Sequence, residues 1–161
     1  MLVHKAETIV RTVLAACVLL STSYSPAAEK KNCVSVGGTF STNVGGFGAA
    51  NTTLGVATGD LKGALGVEIL GESVGANGTA IVTVQHHWVT DSGDAIFIDK
   101  ADASGVFVAP GLLAFTNYPT HISGGTGKLK GATGDMTAIG EVDFNTGQAV
   151  GRYSGQVCYA K

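Results

Sequence analysis

The segment Gln85-His86-His87-Trp88-Val89-Thr90-Asp91-Ser92-Gly93-Asp94 gathers the residues of this chain best suited to chemistry: adjacent histidines, the single tryptophan and two carboxylates. Histidine has an ordinary pKa near neutrality, so it can act as general acid, general base or orienting donor. Side chains along a strand alternate between faces. Val82, Val84, His86 and Trp88 then share one face, and Thr83, Gln85, His87 and Val89 the other. The first set is the more apolar and is expected to face a protein interior. That places His86 beside Trp88 in or near any cavity and turns His87 outward. Two readings of His86 stand: a working acid/base or ligand-orienting group, and a core histidine hydrogen-bonded as scaffolding.

Metal chemistry finds little support. Adjacent histidines on a strand point apart, so one ion would need His86 together with His121 and a carboxylate from another strand, which no spacing demands. Asp91, Asp94, Asp99 and Asp102 lack the spacing of a calcium loop and read as turn formers and strand ends. Gly124-Gly125-Thr126-Gly127-Lys128 lacks the first Gly and the final Ser or Thr of a phosphate-binding loop, since Ile122 and Leu129 stand there. No Gly-x-Ser-x-Gly elbow is present. We expect no metal and no cofactor, and assign no catalytic residue.

Tyr153 lies in the last apolar-alternating segment, where Gly151, Tyr153, Gly155, Val157 and Tyr159 share a face opposite Arg152, Ser154 and Gln156. Its phenol is expected to point inward, either to donate to a ligand carbonyl or to pack as core. Tyr118 and His121 complete the polar groups that could stabilise charge developing on a substrate. The candidate ligand-binding set is therefore His86, Trp88, Tyr118, His121 and Tyr153.

The elements that must position these residues are strands. From Asn32 onward short alternating runs rich in Val, Ile, Thr and Phe recur between Gly-rich breaks, with no sustained helical spacing. Strands are expected over 33–40, 52–58, 64–71, 79–90, 94–108, 112–121, 133–144 and 148–159. Turn sequences such as Ala76-Asn77-Gly78, Pro110-Gly111 and Asn145-Thr146-Gly147 separate them. About eight short-linked strands suit an antiparallel up-and-down β-barrel of calycin-like type, whose closure removes exposed edges. Thr58-Gly-Asp-Leu-Lys-Gly-Ala-Leu-Gly66 and Thr126-Gly-Lys-Leu-Lys-Gly-Ala-Thr-Gly134 agree at seven of nine positions. They read as two barrel corners of one construction, where Gly permits close approach or positive φ.

The second copy carries a resemblance. His121-Ile-Ser-Gly-Gly-Thr-Gly-Lys-Leu-Lys-Gly-Ala-Thr-Gly, running on to Arg152-Tyr-Ser-Gly-Gln-Val-Cys, resembles the C-terminal half of the allene oxide cyclase barrel-like and dirigent-like proteins. Leu129 stands where their hairpin has Phe, and the likeness weakens toward the N-terminus. The resemblance implies an eight-stranded barrel whose mouth holds a small apolar ligand or a reactive intermediate, and it allows a homo-oligomer. It transfers no catalytic residue, because those of the plant cyclases lie in the N-terminal strands.

The chain's 161 residues leave room for one domain, expected over 29–161, behind an export signal over 1–28: Lys5 and Arg11, an apolar centre at 12–20, then Ser25-Pro-Ala-Ala28. Leu14-Ala-Ala-Cys17 also fits a lipoprotein box, so the chain would touch a membrane only if acylated at Cys17. The expected location is secreted or periplasmic. With net charge −2 and scattered cations, nucleic acid is not an expected partner. Cys33 and Cys158 flank the domain, and either pair or remain buried thiols. In an up-and-down barrel the first and last strands pair antiparallel, bringing Cys33 beside Cys158, so a disulfide across that seam is expected. The functional expectation is a secreted barrel that binds a small hydrophobic molecule or is structural, the alternative being a cyclase or isomerase.

Overall fold

In the computed structural model the described residues are 32–44 and 49–160. The export signal and Cys17 lie outside them. Nine strands follow in order: β1 (Asn32–Val44), β2 (Thr52–Ala57), β3 (Gly63–Val74), β4 (Ala80–Thr90), β5 (Ala95–Ile98), β6 (Ala101–Ala109), β7 (Leu112–Gly125), β8 (Thr133–Asp143) and β9 (Gln148–Tyr159). All pairings are antiparallel, and each strand except β5 pairs with its successor. β5 and β6 lie end to end between β4 and β7, and so form one stave of the wall. The β1–β9 pairing, from Asn32↔Tyr159 to Asn43↔Gln148, closes an eight-stranded barrel. The expected fold class is therefore the observed one, with the stave expected over 94–108 divided in two.

That division has a physical cause. Ile96 and Ile98 are buried before it and Ala101 and Ala103 after it, whereas Asp99 and Lys100 are both exposed. Two charged neighbours cannot both face water on an unbroken strand, so the ladder skips a residue and the inward parity changes from even to odd. β7 does the same in reverse. Leu113 and Phe115 point inward, Thr116 and Asn117 are both exposed, and Tyr118 and Ile122 point inward again. A register shift falls between Phe115 and Tyr118.

The two repeated segments form matching corners at one end of the barrel. Each is a 3-10 turn, Gly59–Leu61 and Gly127–Leu129, entered through an extended threonine, Thr58 or Thr126. Gly59 (φ 85°) and Gly127 (φ 50°) occupy left-handed conformations that a side chain would strain. Leu61 and Leu129 drop from these corners into the interior and plug that end with Ile96, Trp88, Tyr153 and Val157. Cys33 and Cys158 are bonded at the same end, as the closure of the first and last strands requires.

Candidate functional site

Above this plug the barrel encloses a cavity of about 110 Å³. It runs from Trp88 and Tyr153 at the floor to Val44 and Phe144 at the opposite end, where Phe144 is partly exposed. Its size is on the order of the ~150 Å³ apolar cavities that take up benzene. Most of the wall is hydrocarbon, because Leu65, Val67, Val84, Leu113, Met136 and Ala138 face inward from their strands. Phe40 and Phe115 stack at 6.3 Å between centroids and form one side. The Gly140↔Gly151 pair gives those rings room, since a Cβ on Gly140 would lie 2.8 Å from the Phe115 ring.

The five sequence candidates separate into three groups. His86 and Tyr118 are brought together: the Tyr118 hydroxyl lies 2.7 Å from His86 Nε2, on the cavity wall. Tyr118 meets Phe115 edge-on at 5.7 Å, which fixes the phenol's tilt. Burial pushes the His86 pKa down to about 4, with nearby His87 adding to the shift, and burial pushes the Tyr118 phenol up. Both groups are therefore neutral at physiological pH, and among the described residues no charged side chain lines the cavity. His86 Nδ1 is buried and has no hydrogen-bond partner among the described residues.

Trp88 and Tyr153 form the second group, packed edge to face at 5.1 Å on the floor. Their polar tips are already engaged by the first corner. Trp88 Nε1 donates to the Leu61 carbonyl at 2.8 Å. The Tyr153 hydroxyl donates to the Thr58 carbonyl at 2.7 Å and accepts from the Leu61 amide at 3.0 Å. Both aromatics offer the cavity a ring surface and spend their hydrogen-bonding capacity on the backbone of the plug. Burial raises the Tyr153 pKa, the Leu61 amide opposes that shift, and Asp60 adds to it.

His121 stands alone on the outer wall, exposed, with Nδ1 2.8 Å from Asp135 Oδ1 across the β7–β8 pairing. The Thr116-Asn117 bulge sets this placement: it makes the even positions of β7 face inward from Tyr118 onward, so His121 faces solvent. His87 is likewise outward, as alternation along β4 requires. Among the described residues no group of three His, Cys, Asp or Glu side chains could hold a metal ion.

Four threonines on the cavity wall escaped the sequence reading, of which Thr42 and Thr53 are buried and face inward from neighbouring strands, while Thr120 and Thr137 are less buried. Thr53 Oγ1 has no partner among the described residues. Thr53 pairs with Val67 and Val67 with His86, so the two unpartnered polar atoms belong to one row of the wall. The signal for Thr42 was the even-numbered inward run of Val36 and Phe40, which ends too early if the strand stops at Phe40.

Over the described residues the fold and site define a closed antiparallel barrel with one end plugged and a small apolar cavity that holds a neutral histidine–tyrosine pair. No family model matches the chain. No curated protein matches it either. Among solved structures it is similar to the pterocarpan synthase dirigent protein, at 17% identity and a TM-score of 0.38, over 89% of this chain and 99% of that one. The barrel assignment rests on the strand register described above.

Proposed function

We propose that this protein binds one small, largely apolar molecule in its barrel cavity. The observation that carries the reading is the cavity: sized for about one ring and walled mainly by hydrocarbon around the hydrogen-bonded His86–Tyr118 pair. The resemblance of residues 121–158 to allene oxide cyclase-like and dirigent-like proteins points to the same use of a barrel interior. The His86–Tyr118 pair favours a second reading, in which the bound molecule is cyclised or isomerised with Tyr118 as proton donor. The seam disulfide suits an oxidising location, secreted or periplasmic.

Trp88 on the cavity floor reports occupancy. Titration with one-ring apolar compounds is expected to give a saturable change in its emission, and Ala138→Phe, which fills the cavity from the wall, is expected to abolish it. A full panel of such compounds giving no saturable change would overturn the binding reading. Turnover of bound compound that disappears in Tyr118→Phe would establish the second reading over the first.

A further inference from the structure

The His86–Tyr118 pair narrows the chemistry of the ligand, an inference that rests on the cavity being a binding site. Two neutral groups share two mobile protons among three positions: His86 Nδ1, His86 Nε2 and the Tyr118 oxygen. In one arrangement Tyr118 donates to Nε2, and His86 then carries its proton on Nδ1. That leaves a buried N–H with no acceptor, because Nδ1 has no partner among the described residues. In the other, Nε2–H donates to the Tyr118 oxygen, and the Nδ1 lone pair and the Tyr118 O–H are left unmet. With the cavity empty each arrangement leaves one donor without an acceptor; a ligand acceptor can reach the Tyr118 O–H, which lines the cavity, but not the fully buried Nδ1, so a bound acceptor selects the second arrangement. It frees the Tyr118 O–H from His86, and Tyr118 lines the cavity.

We propose that the Tyr118 hydroxyl, held by His86 Nε2 in a largely apolar cavity, donates a hydrogen bond to an uncharged carbonyl oxygen on a one-ring aromatic ligand. The wall's composition supports both halves of this description. Phe40, Phe115 and Trp88 present ring faces and edges to an aromatic guest. Among the described residues no cationic side chain lines the cavity to neutralise a carboxylate, so a charged ligand would meet no partner there. Tyr153, the other phenol among the described wall residues, has its O–H committed to the Thr58 carbonyl; the unpartnered Thr53 hydroxyl is the competing donor, and the Tyr118→Phe variant separates the two.

Acetophenone and α-methylstyrene test this, because they share shape and differ in C=O against C=CH2. Affinities are read from Trp88 emission in the intact protein. The preference for acetophenone over α-methylstyrene is expected to fall about five- to tenfold in Tyr118→Phe, with α-methylstyrene affinity little changed. Because neither group of the pair titrates there, the wild-type preference is expected to stay flat from about pH 6 to about pH 9. The carbonyl stretch of acetophenone bound to the wild-type protein gives a second reading that needs no variant. A shift below its frequency in alkane supports the hydrogen bond, and an alkane-like frequency overturns it. An unchanged preference in a folded Tyr118→Phe also overturns the assignment while leaving cavity binding intact. Failure of both compounds to bind overturns the cavity reading and this inference with it.

Discussion

The two ends of the barrel treat their polar groups in opposite ways. At the plugged end the Trp88 indole and the Tyr153 phenol are tied to the Leu61 corner by three hydrogen bonds, and the chain termini of the barrel are joined by a disulfide. In the cavity above it, His86 Nδ1 and Thr53 Oγ1 are buried without partners. A buried polar atom left unmet costs about 1–3 kcal/mol, so the plugged end is built for stability while the cavity sacrifices some of it. Departures of that kind concentrate where a protein meets its ligands.

The largest test of this contrast is the seam. Cys33 and Cys158 are 125 residues apart, a separation for which the chain-entropy model gives about 5 kcal/mol. Guanidinium unfolding with and without reductant is expected to show a loss of that order, with the reduced barrel still folded at low denaturant. A loss well under 1 kcal/mol would mean the plugged end does not depend on its covalent closure. Next in size, Trp88→Ala at the floor is expected to cost about 3–5 kcal/mol, whereas Phe144→Ala at the opposite end, already 40% exposed, is expected to cost at most about 1. Equal costs would erase the distinction between the ends.

Titration of His86 probes the cavity directly. Its folded pKa is depressed to about 4, so the unfolded chain binds more protons between that value and about 6.5. Stability is therefore full above about pH 6.5 and is lost as pH falls toward 4, by about 3 kcal/mol. Urea unfolding across this window is expected to show the slope, and His86→Gln to flatten it. Asp143, exposed and held below the ordinary carboxylate range by the Asn145 amide and then the Thr146 hydroxyl, acts in a lower and separate window. The smallest effects carry the sharpest contrast, because they differ in sign. Tyr153→Phe leaves the Thr58 carbonyl and Leu61 amide unmatched and is expected to destabilise by about 1–3 kcal/mol, while Thr53→Val removes an unmet hydroxyl and is expected to stabilise by about 1. Thermal melts of the two variants under one condition decide it.

Much of this was legible in the residues. Alternation alone placed Val84, His86 and Trp88 inside and His87 outside, and antiparallel closure placed Cys33 beside Cys158. Where alternation breaks, the reading failed with it. The skipped residue at Asp99-Lys100 and the bulge at Thr116-Asn117 each turn two neighbouring polar side chains outward, and both reverse the parity of everything that follows. Tyr118 and His121 lie three apart on β7, so only one of them can face the cavity once the bulge has passed. The partners of the Tyr153 hydroxyl were beyond reach for a different reason. They are backbone groups more than 90 residues away, brought near only by the closed barrel.

The seam also dictates an order of events during synthesis. Counting β5 and β6 as one stave, every wall pairing except β1–β9 joins consecutive strands, so hairpins can form as the chain emerges. β1 must wait. From the moment β1 and β2 pair until β9 is made, the outer edge of β1 has no strand to bond, a state in which nascent sheets join neighbouring chains. Residues 35–43 of that edge carry no charge and no proline, two of the usual deterrents to such joining. The nascent molecule is thus at its most adhesive just before β9 arrives, and a chaperone that shields strand edges would matter most in that interval.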